Sequence, residues 1–257
     1  MKKTPERFAL NGKRALVTGS TQGIGLAIAR GLAESGASVI LNGRSSEKLS
    51  PVISQLSAEG HSVEGSAFDV TNPDSIKAAI ARLTESGKNI DILINNAGIQ
   101  RRAPLLEMTL ADWQSVIDTN LTSAFLVSQA VAPSMIEQRG GKIVNICSLM
   151  SELARPTIAN YSAAKGGLKM LTRSMCVEWA KSNIQINGLA PGYIETDMTK
   201  SLVQDEKFDS WIRGRTPSGR WGCVEDLVGA TIFLSSPASN YVNGHLLVVD
   251  GGLSAVV

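Results

Sequence analysis

The stretch 15-ALVTGSTQGIG-25 decides the fold. Residues 15–18 are apolar and β-prone, and they run directly into a glycine-rich loop that helix-forming residues follow. The sequence therefore predicts a strand, a tight turn and a helix. Glycines at such a turn let the backbone approach a phosphate, and the helix N-terminus supplies N–H donors and a favourable dipole. The candidate phosphate-binding residues are Gly19, Ser20, Thr21, Gln22, Gly23, Ile24 and Gly25.

The spacing of these glycines differs from the G-x-G-x-x-G fingerprint of dinucleotide sites. An ordinary glycine-rich βα turn is therefore the alternative interpretation. The other predicted strands, and the residues that follow them, distinguish a dinucleotide site from an ordinary turn.

Apolar runs alternate with helical patterns along the whole chain. Strands are predicted at residues 15–18, 39–42, 63–68, 90–95, 142–146, 184–189 and 246–249. Most of these runs are continuously apolar, as in a parallel sheet that helices cover on both faces. Repeated βα units of this kind predict a doubly wound α/β fold with right-handed crossovers.

Several local signals place the ends of helices. Asn72 followed by Pro73 is typical of a capped helix start, and Thr109 followed by Asp112 resembles a second. Pro51 either kinks one helix or starts another. No linker or repeat divides the chain, so we expect a single domain over residues 1–257, with a mobile flap of irregular structure around residues 191–221.

Composition excludes several classes of protein. The hydrophobic fraction is 43% and the charged fraction 19%, as in a globular protein. A formal net charge of +2 and an aromatic fraction of 5% do not favour a nucleic-acid partner. No apolar run approaches the length of a membrane span, and residues 1–10 do not resemble a signal peptide.

Cysteine and histidine usage points to a protein without disulfides or bound metal. Cys147, Cys176 and Cys223 are far apart, so we expect a cytoplasmic location. The histidines, His61 and His245, have no ligand cluster around them, so no metal site is expected.

The second and third predicted strands end in residues suited to a nucleotide. An acidic residue that would bind the ribose of NAD is absent after the second strand, where Asn42 and Arg44 lie instead. Arg44 could pair with the 2′-phosphate of NADP, with a further hydrogen bond from Asn42. Arg44 could equally be a solvated loop charge. Asp69 and Val70 follow the third strand, where they could meet the adenine or simply form a turn.

The fourth strand ends in small and polar residues. Asn96, Ala97 and Gly98 lie where an open α/β sheet binds ligands, and they would leave room for a flat cofactor. The asparagines could equally hold neighbouring strands together.

Tyr161 and Lys165 are four residues apart, which places them on one face of a helix. A nearby ammonium group should lower the pKa of a tyrosine and make it a usable proton donor and acceptor. Ser148 follows the fifth strand and could hydrogen-bond a reacting oxygen. Asn120 lies inside a predicted helix, where asparagine is unfavourable, and could be only a buried polar group.

Together these motifs resemble the short-chain dehydrogenase/reductase family over almost the whole chain. The resemblance implies a seven-stranded Rossmann-like sheet and a nicotinamide cofactor. It implies that Tyr161 transfers the proton and that Lys165 lowers the pKa of Tyr161 and contacts the nicotinamide ribose. It also implies that Ser148 orients the carbonyl oxygen and that Asn120 holds a relay water. The resemblance also implies that Pro191 and Gly192 border the cofactor and that Ile194 and Thr196, which follow them, contact the nicotinamide amide. Many NADP-using relatives have a basic residue where this chain has Gln22, so Arg44 must supply the preference for NADP over NAD.

Within that family, four segments resemble the gluconate 5-dehydrogenases, also called 5-keto-gluconate reductases. They are residues 98–104, 151–158, 166–176 and 219–222. Their arginines, Arg101, Arg102 and Arg155, could bind the carboxylate of a sugar acid, or could be surface or subunit-contact charges. Glu152 could accept a sugar hydroxyl or pair with Arg155.

The leading hypothesis is the NADP(H)-dependent interconversion of D-gluconate and 5-dehydro-D-gluconate. The same chemistry on another sugar acid, a polyol or a small ketone is the alternative. A non-catalytic nicotinamide-binding sensor is a remote alternative, which the presence of Tyr161 and Lys165 argues against. The family resemblance also implies a homotetramer, and the apolar C-terminal stretch 246–257 fits a subunit contact.

Overall fold

The computed structural model describes residues 3–85 and 87–256. Residues 1, 2, 86 and 257 of the expected single domain lie outside the described residues. Seven parallel strands form one sheet in the order β3-β2-β1-β4-β5-β6-β7. The strands are β1 Arg14–Val17, β2 Ser38–Gly43, β3 Val63–Ala67, β4 Ile92–Asn95, β5 Gly141–Ile146, β6 Ile184–Pro191 and β7 Leu246–Val249. All seven predicted strands are confirmed, with ends that differ by at most two residues.

Helices connect the strands. They are α1 Thr4–Phe8, α2 Gly23–Glu34, α3 Ser46–Ala58, α4 Pro73–Thr84, α5 Leu110–Ile117, α6 Ser123–Glu137, α7 Ala159–Trp179, α8 Lys200–Val203, α9 Glu206–Arg215 and α10 Val228–Ser235. The side chains of Asn72 and Thr109 cap α4 and α5 as predicted. Pro51 lies inside α3, so no second helix begins there.

The central strands of the sheet contribute to two apolar cores, one on each face. In β1, Ala15 and Val17 belong to the core on one face, with Leu41 of β2. Leu16 faces the other core, with Ile40 of β2. Helices cover both faces, and this is why the strand sequences are continuously apolar instead of alternating. The arrangement is the doubly wound, Rossmann-like α/β fold that the sequence predicts.

The order of the strands fixes the place of the site. The chain builds outward from β1 to β3 and then returns to place β4 on the other side of β1. Loops that leave the carboxyl ends of β1 and β4 therefore diverge and open a crevice between them, where ligands bind in such sheets.

The structure corrects our prediction of irregular structure in residues 191–221, because α8 and α9 lie there. The carboxylate of Asp205 caps α9, and Phe208, Trp211 and Ile212 follow at helical spacing. This signal was available in the sequence. Ile212 is fully buried, so the segment is packed against the domain through an apolar underside.

No helix within residues 3–85 and 87–256 is long and apolar enough to cross a membrane. The same residues contain no group of three or more His, Cys, Asp or Glu side chains that could hold a metal ion.

Candidate active site

The glycines after β1 form a tight backbone cradle. Gly19 and Gly23 have φ angles of 62° and 56°, which favour glycine over residues with a side chain. A Cβ atom on Gly25 would lie 2.3 Å from the carbonyl oxygen of Gly19 and 2.4 Å from Nδ2 of Asn96. No larger residue fits there, so the loop and the start of α2 pack closely enough to present backbone N–H groups to a phosphate.

Two asparagines hold this cradle from below. The buried Asn42 accepts a hydrogen bond from the Gly19 N–H (3.2 Å) and donates to two carbonyl oxygens of the β3 segment. Asn96 donates to the carbonyl oxygens of Thr18 (2.9 Å) and Gly19 (3.0 Å). We expected Asn42 to reach the cofactor, but its amide is occupied by these backbone groups. Both side chains therefore position the loop.

Two charged residues border the adenosine end of the crevice. Arg44 follows β2, is exposed, and makes no hydrogen bond or ion pair with the other described residues. One carboxylate oxygen of Asp69 accepts from the backbone N–H (2.9 Å) and hydroxyl (2.8 Å) of Thr71. Asp69 thus forms the turn that the sequence left open, and Val70 beside it is buried.

The carboxyl end of β4 is tied to its surroundings by polar bonds. Asn95 donates to Ser128 and to Asn145, so it joins β4 to α6 and β5. Asn120 lies in a π-helical turn, Asp118–Thr122, between α5 and α6. Its amide accepts from the Ile99 N–H (2.8 Å) and donates to the Ile99 carbonyl (2.9 Å). The Asn120 side chain is therefore a clamp on the loop after β4.

Tyr161, on the first turn of α7, meets Ser148 at the carboxyl end of β5. Burial raises the pKa of Tyr161, and the most important opposing effect is a hydrogen bond with the Ser148 side chain. Arg102 and Gln100 also lower it. The sequence predicted a lowered pKa, and the structure corrects this: burial outweighs the opposing contacts, and the phenol stays protonated at neutral pH.

Lys165 lies one turn beyond Tyr161 on α7. Its ammonium nitrogen is 5.6 Å from the centre of the Tyr161 ring and donates to the carbonyl oxygen of Ile146 at 2.6 Å. Burial lowers the pKa of Lys165 to about 8, although the neighbouring Cys147 opposes the shift. Lys165 is therefore a buried cation held at the end of β5, beside the phenol.

Two arginines lie close to each other and to Tyr193, and one of them, Arg102, also lies near Tyr161. Arg102 is exposed, but partial desolvation and the proximity of Arg155 still lower its pKa, while Tyr193 and Tyr161 oppose the shift. Arg155 lies over the ring of Phe208, with its guanidinium carbon 5.3 Å from the ring centre. No acidic side chain among residues 3–85 and 87–256 pairs with either arginine. Two uncompensated cations beside a proton donor favour an anionic ligand.

Two other predicted substrate residues lie differently. Glu152 pairs with Lys169 at 2.5 Å and not with Arg155. Arg101 is exposed, and its backbone carbonyl accepts a hydrogen bond from Asn160. Neither side chain joins the pair of arginines beside Tyr161.

The loop after β6 closes the crevice. Gly192 donates to the carbonyl of Val249, and Ile194 forms an isolated bridge with Gly222. The Thr196 methyl group is 4.0 Å from the position of a Cβ atom on Gly23, so this loop faces the phosphate cradle across the crevice.

Two residues that line the site were missed at the sequence level. Gln100 is close enough to Tyr161 to lower its pKa, and Arg102 and Arg155 are close enough to Tyr193 to lower its pKa against the effect of burial. Gln100 stands beside the arginines of the loop after β4, and Tyr193 directly follows Gly192, so their position in ligand-facing loops was the available signal.

The arrangement combines a nucleotide cradle, a proton donor and an anion-binding surface in one crevice. Ser148 and Tyr161 can both donate to one oxygen atom, as a carbonyl undergoing reduction requires.

Comparison with known proteins agrees with this chemistry. A family model described as short chain dehydrogenase matches residues 13–207. The chain is 54% identical to gluconate 5-dehydrogenase of Gluconobacter oxydans over 97% of its own length and 98% of that protein. It is 50% identical to 2-dehydro-3-deoxy-D-gluconate 5-dehydrogenase of Formosa agariphila, over 97% and 96% of the two chains.

A crystal structure of gluconate 5-dehydrogenase from Burkholderia cenocepacia, in complex with NADP and tartrate, superposes on this chain with a TM-score of 0.97. The sequence identity is 51%, and the match covers 99% of this chain and all of the other. The similarity thus includes every loop that borders the crevice.

Proposed function

Because the chain belongs to the short-chain dehydrogenase family, we propose that it interconverts D-gluconate and 5-dehydro-D-gluconate. The chain is an NADP(H)-dependent oxidoreductase of sugar acids, as its relatives of about 50% identity indicate. The observation that carries the choice of substrate is a pair of arginines without an acidic partner among the described residues: Arg102 near Tyr161, and Arg155 next to Arg102. In 5-dehydro-D-gluconate the C5 ketone would lie at Tyr161 and the C1 carboxylate at these arginines.

The residues of the crevice fit a dinucleotide. The glycine cradle would hold the pyrophosphate at the N-terminus of α2, where the space next to Gly23 is open up to the Thr196 methyl group at 4.0 Å. Arg44 would bind the 2′-phosphate, and Asp69 and Val70 would lie against the adenine. Asn96, Ala97 and Gly98 would border the ribose, and the nicotinamide would lie against Pro191, Gly192, Ile194 and Thr196. NADPH supplies the hydride for reduction and NADP⁺ accepts it in the reverse direction.

We assign proton transfer to the Tyr161 hydroxyl. Its raised pKa keeps the proton in place until the carbonyl oxygen takes it during reduction. Ser148 donates to the same carbonyl oxygen and orients it. The Lys165 ammonium would contact the nicotinamide ribose and favour the phenolate that remains after proton transfer. The side-chain amide of Asn120 is already hydrogen-bonded to the backbone of Ile99. A relay water would therefore be held by the backbone carbonyl of Asn120.

Reduction should depend on pH through Lys165. Its pKa of about 8 predicts that kcat/KM for the ketone is level up to that pH and declines above it, by up to about tenfold per pH unit. The decline follows because a neutral amine no longer stabilises the phenolate of Tyr161. Initial rates between pH 6.5 and 9.5 test this, and a profile that stays flat to pH 9.5 would contradict the role given to Lys165.

Replacing Arg44 should change the choice of cofactor. Arg44→Ala removes the one cation we assign to the 2′-phosphate, so kcat/KM for NADPH should fall by about 10- to 100-fold. The value for NADH should change by less than about threefold, because NADH has no 2′-phosphate. An equal fall in kcat/KM with NADPH and NADH would show that Arg44 supports the loop and does not bind the 2′-phosphate.

We propose a homotetramer in the cytoplasm. Apolar side chains are exposed on α6 and α7, including Phe125 (44%), Met170 (54%) and Val177 (81%). Exposed apolar surface of this kind is typical of a subunit contact. Three free cysteines suit a reducing compartment. We also propose that α8 and α9 form the mobile flap over the substrate, since Phe208 of α9 contacts Arg155.

The experiment that tests the proposed function is the oxidation of NADPH, followed by absorbance, with purified protein and a panel of ketones. We expect 5-dehydro-D-gluconate to give the highest kcat/KM, above neutral ketoses and simple ketones. In the oxidative direction, D-gluconate should exceed 2-dehydro-3-deoxy-D-gluconate. Preference for the latter would move the assignment to that sugar acid, and tight NADPH binding without any turnover would favour a sensor.

A further inference from the structure

The loop after β4 is fastened on both sides of Gln100. Asn120 holds the N–H and carbonyl groups of Ile99, the preceding residue, at 2.8 and 2.9 Å. Asn160 of α7, which is fully buried, donates to the carbonyl of Arg101, the following residue, at 3.0 Å. The backbone of Gln100 is therefore held against the helix that carries the proton donor.

The side chain of Gln100 is oriented as well. Its Oε1 atom accepts a hydrogen bond from Nε of Arg102 at 2.9 Å. A primary amide whose oxygen is engaged presents its NH₂ group in the other direction. The Gln100 amide is also close enough to Tyr161 to lower the pKa of its phenol. Gln100 thus spans the space between a candidate carboxylate-binding residue and the proton donor.

If the proposed function is correct, the structure of the substrate indicates what the Gln100 amide contacts. With the C5 ketone at Tyr161 and the C1 carboxylate at Arg102, the carbons between them pass the Gln100 amide. The first of these carbons, C4, carries a hydroxyl group beside the ketone. Ser148 and Tyr161 hydrogen-bond the carbonyl oxygen. Because every ketone has this atom, neither residue can distinguish a hydroxyketone from a simple ketone.

We propose that Gln100 is a specificity-determining residue that donates a hydrogen bond to the hydroxyl group on the carbon next to the reacting carbonyl. Its amide contacts Tyr161 before the substrate binds and contacts the C4 hydroxyl afterwards. The bond from Arg102 holds the amide in place in both states. Gln100 therefore selects sugar acids over keto acids that lack the neighbouring hydroxyl.

The test measures two proteins, wild type and one variant, each with two substrates that differ by one hydroxyl group. Gln100→Met retains the length of the side chain and removes its hydrogen bonds. The 4-deoxy analogue of 5-dehydro-D-gluconate removes only the C4 hydroxyl. With wild-type protein, kcat/KM should be about 10- to 100-fold lower for the analogue than for the parent ketone. With Gln100→Met the two substrates should differ by less than about threefold, because no donor remains to distinguish them.

A matched control variant is Glu107→Gln, since Glu107 is exposed in the same segment and its side chain makes no hydrogen bond or ion pair with the other described residues. It should retain the wild-type ratio between the two substrates. Melting temperature and NADPH affinity confirm that each variant is folded. If Gln100→Met lowers kcat/KM equally for both substrates, Gln100 acts on Tyr161 or on the fold, and the proposal is overturned.

An equal response of wild-type protein to both substrates also overturns the role of Gln100, although the proposed function stands. Failure of the wild-type protein to reduce the parent ketone at all would instead overturn the proposed function. In a third outcome, kcat/KM is lower for the analogue than for the parent ketone with both the wild-type protein and Gln100→Met. The C4 hydroxyl would then contact another residue, such as Tyr193, and the proposal is overturned.

Discussion

Replacing Tyr161 with phenylalanine should lower kcat/KM for ketone reduction by about 10²- to 10⁴-fold, the usual contribution of a positioned general acid. The substitution removes only the hydroxyl group, which is half-buried and lies close to Ser148 and Gln100. The ring and its position beside Lys165 remain, so NADPH affinity should change by less than about threefold. Steady-state rates and a fluorescence titration with NADPH measure the two quantities separately.

Tyr241 offers a matched control, because it is a fully exposed tyrosine (103%) away from the crevice. Tyr241→Phe makes the same chemical change and should leave kcat/KM within about twofold of wild type, as surface substitutions usually do. Activity of Tyr161→Phe near the wild-type level would show that another group protonates the carbonyl oxygen.

Replacing Arg102 with methionine should lower kcat/KM for the sugar acid by about 100-fold, mainly through a higher KM. The guanidinium lies beside Arg155 with no acidic partner among residues 3–85 and 87–256, so the substrate carboxylate would be its counter-ion. A hydrogen bond to a charged group typically contributes about 1.5–3 kcal/mol. The methyl ester of 5-dehydro-D-gluconate has no such charge, so its kcat/KM should change by less than about threefold on the same substitution.

Arg82→Met, on the exposed face of α4, controls for the loss of one positive charge. It should affect neither the acid nor the ester, since Arg82 is on a helix outside the crevice. If Arg102→Met reduces turnover of the acid and the ester to the same extent, Arg102 positions the Gln100 loop and does not bind the carboxylate.

Much of the fold could be predicted from the sequence because the strands are buried on both faces. Continuous apolar runs in β1, β2 and β4 indicated a parallel sheet, and the glycines after β1 indicated where it binds phosphate. The cap residues Asn72 and Thr109 placed two helix starts through their own side-chain hydrogen bonds. These features are local in sequence, and the neighbouring residues determine them.

What escaped prediction depends on contacts between distant segments. Glu152 pairs with Lys169 instead of Arg155 because α7 places Lys169 beside it, which no spacing in the sequence reveals. The raised pKa of Tyr161 results from burial by several loops. Gln100 was missed because only the clamps from Asn120 and Asn160 turn it toward the phenol.

The segment 191–221 shows a different kind of error. Its glycines and prolines suggested irregular structure, and they outweighed the apolar spacing of Phe208, Trp211 and Ile212. The aromatic rings of Tyr193, Phe208 and Trp221 pack against one another at 5.6 to 6.2 Å, so tertiary packing stabilises two short helices there. Short helices with weak local propensity commonly depend on such packing.

The most direct test of the central claim is to identify the product. Purified protein is incubated with 5-dehydro-D-gluconate and NADPH, and the sugar acid formed is separated and compared with D-gluconate and with its C5 epimer. The account predicts D-gluconate in an amount equal to the NADPH consumed, and none in the presence of Tyr161→Phe over the same time. NADPH that remains unconsumed, or a product other than D-gluconate, would contradict the proposed reaction.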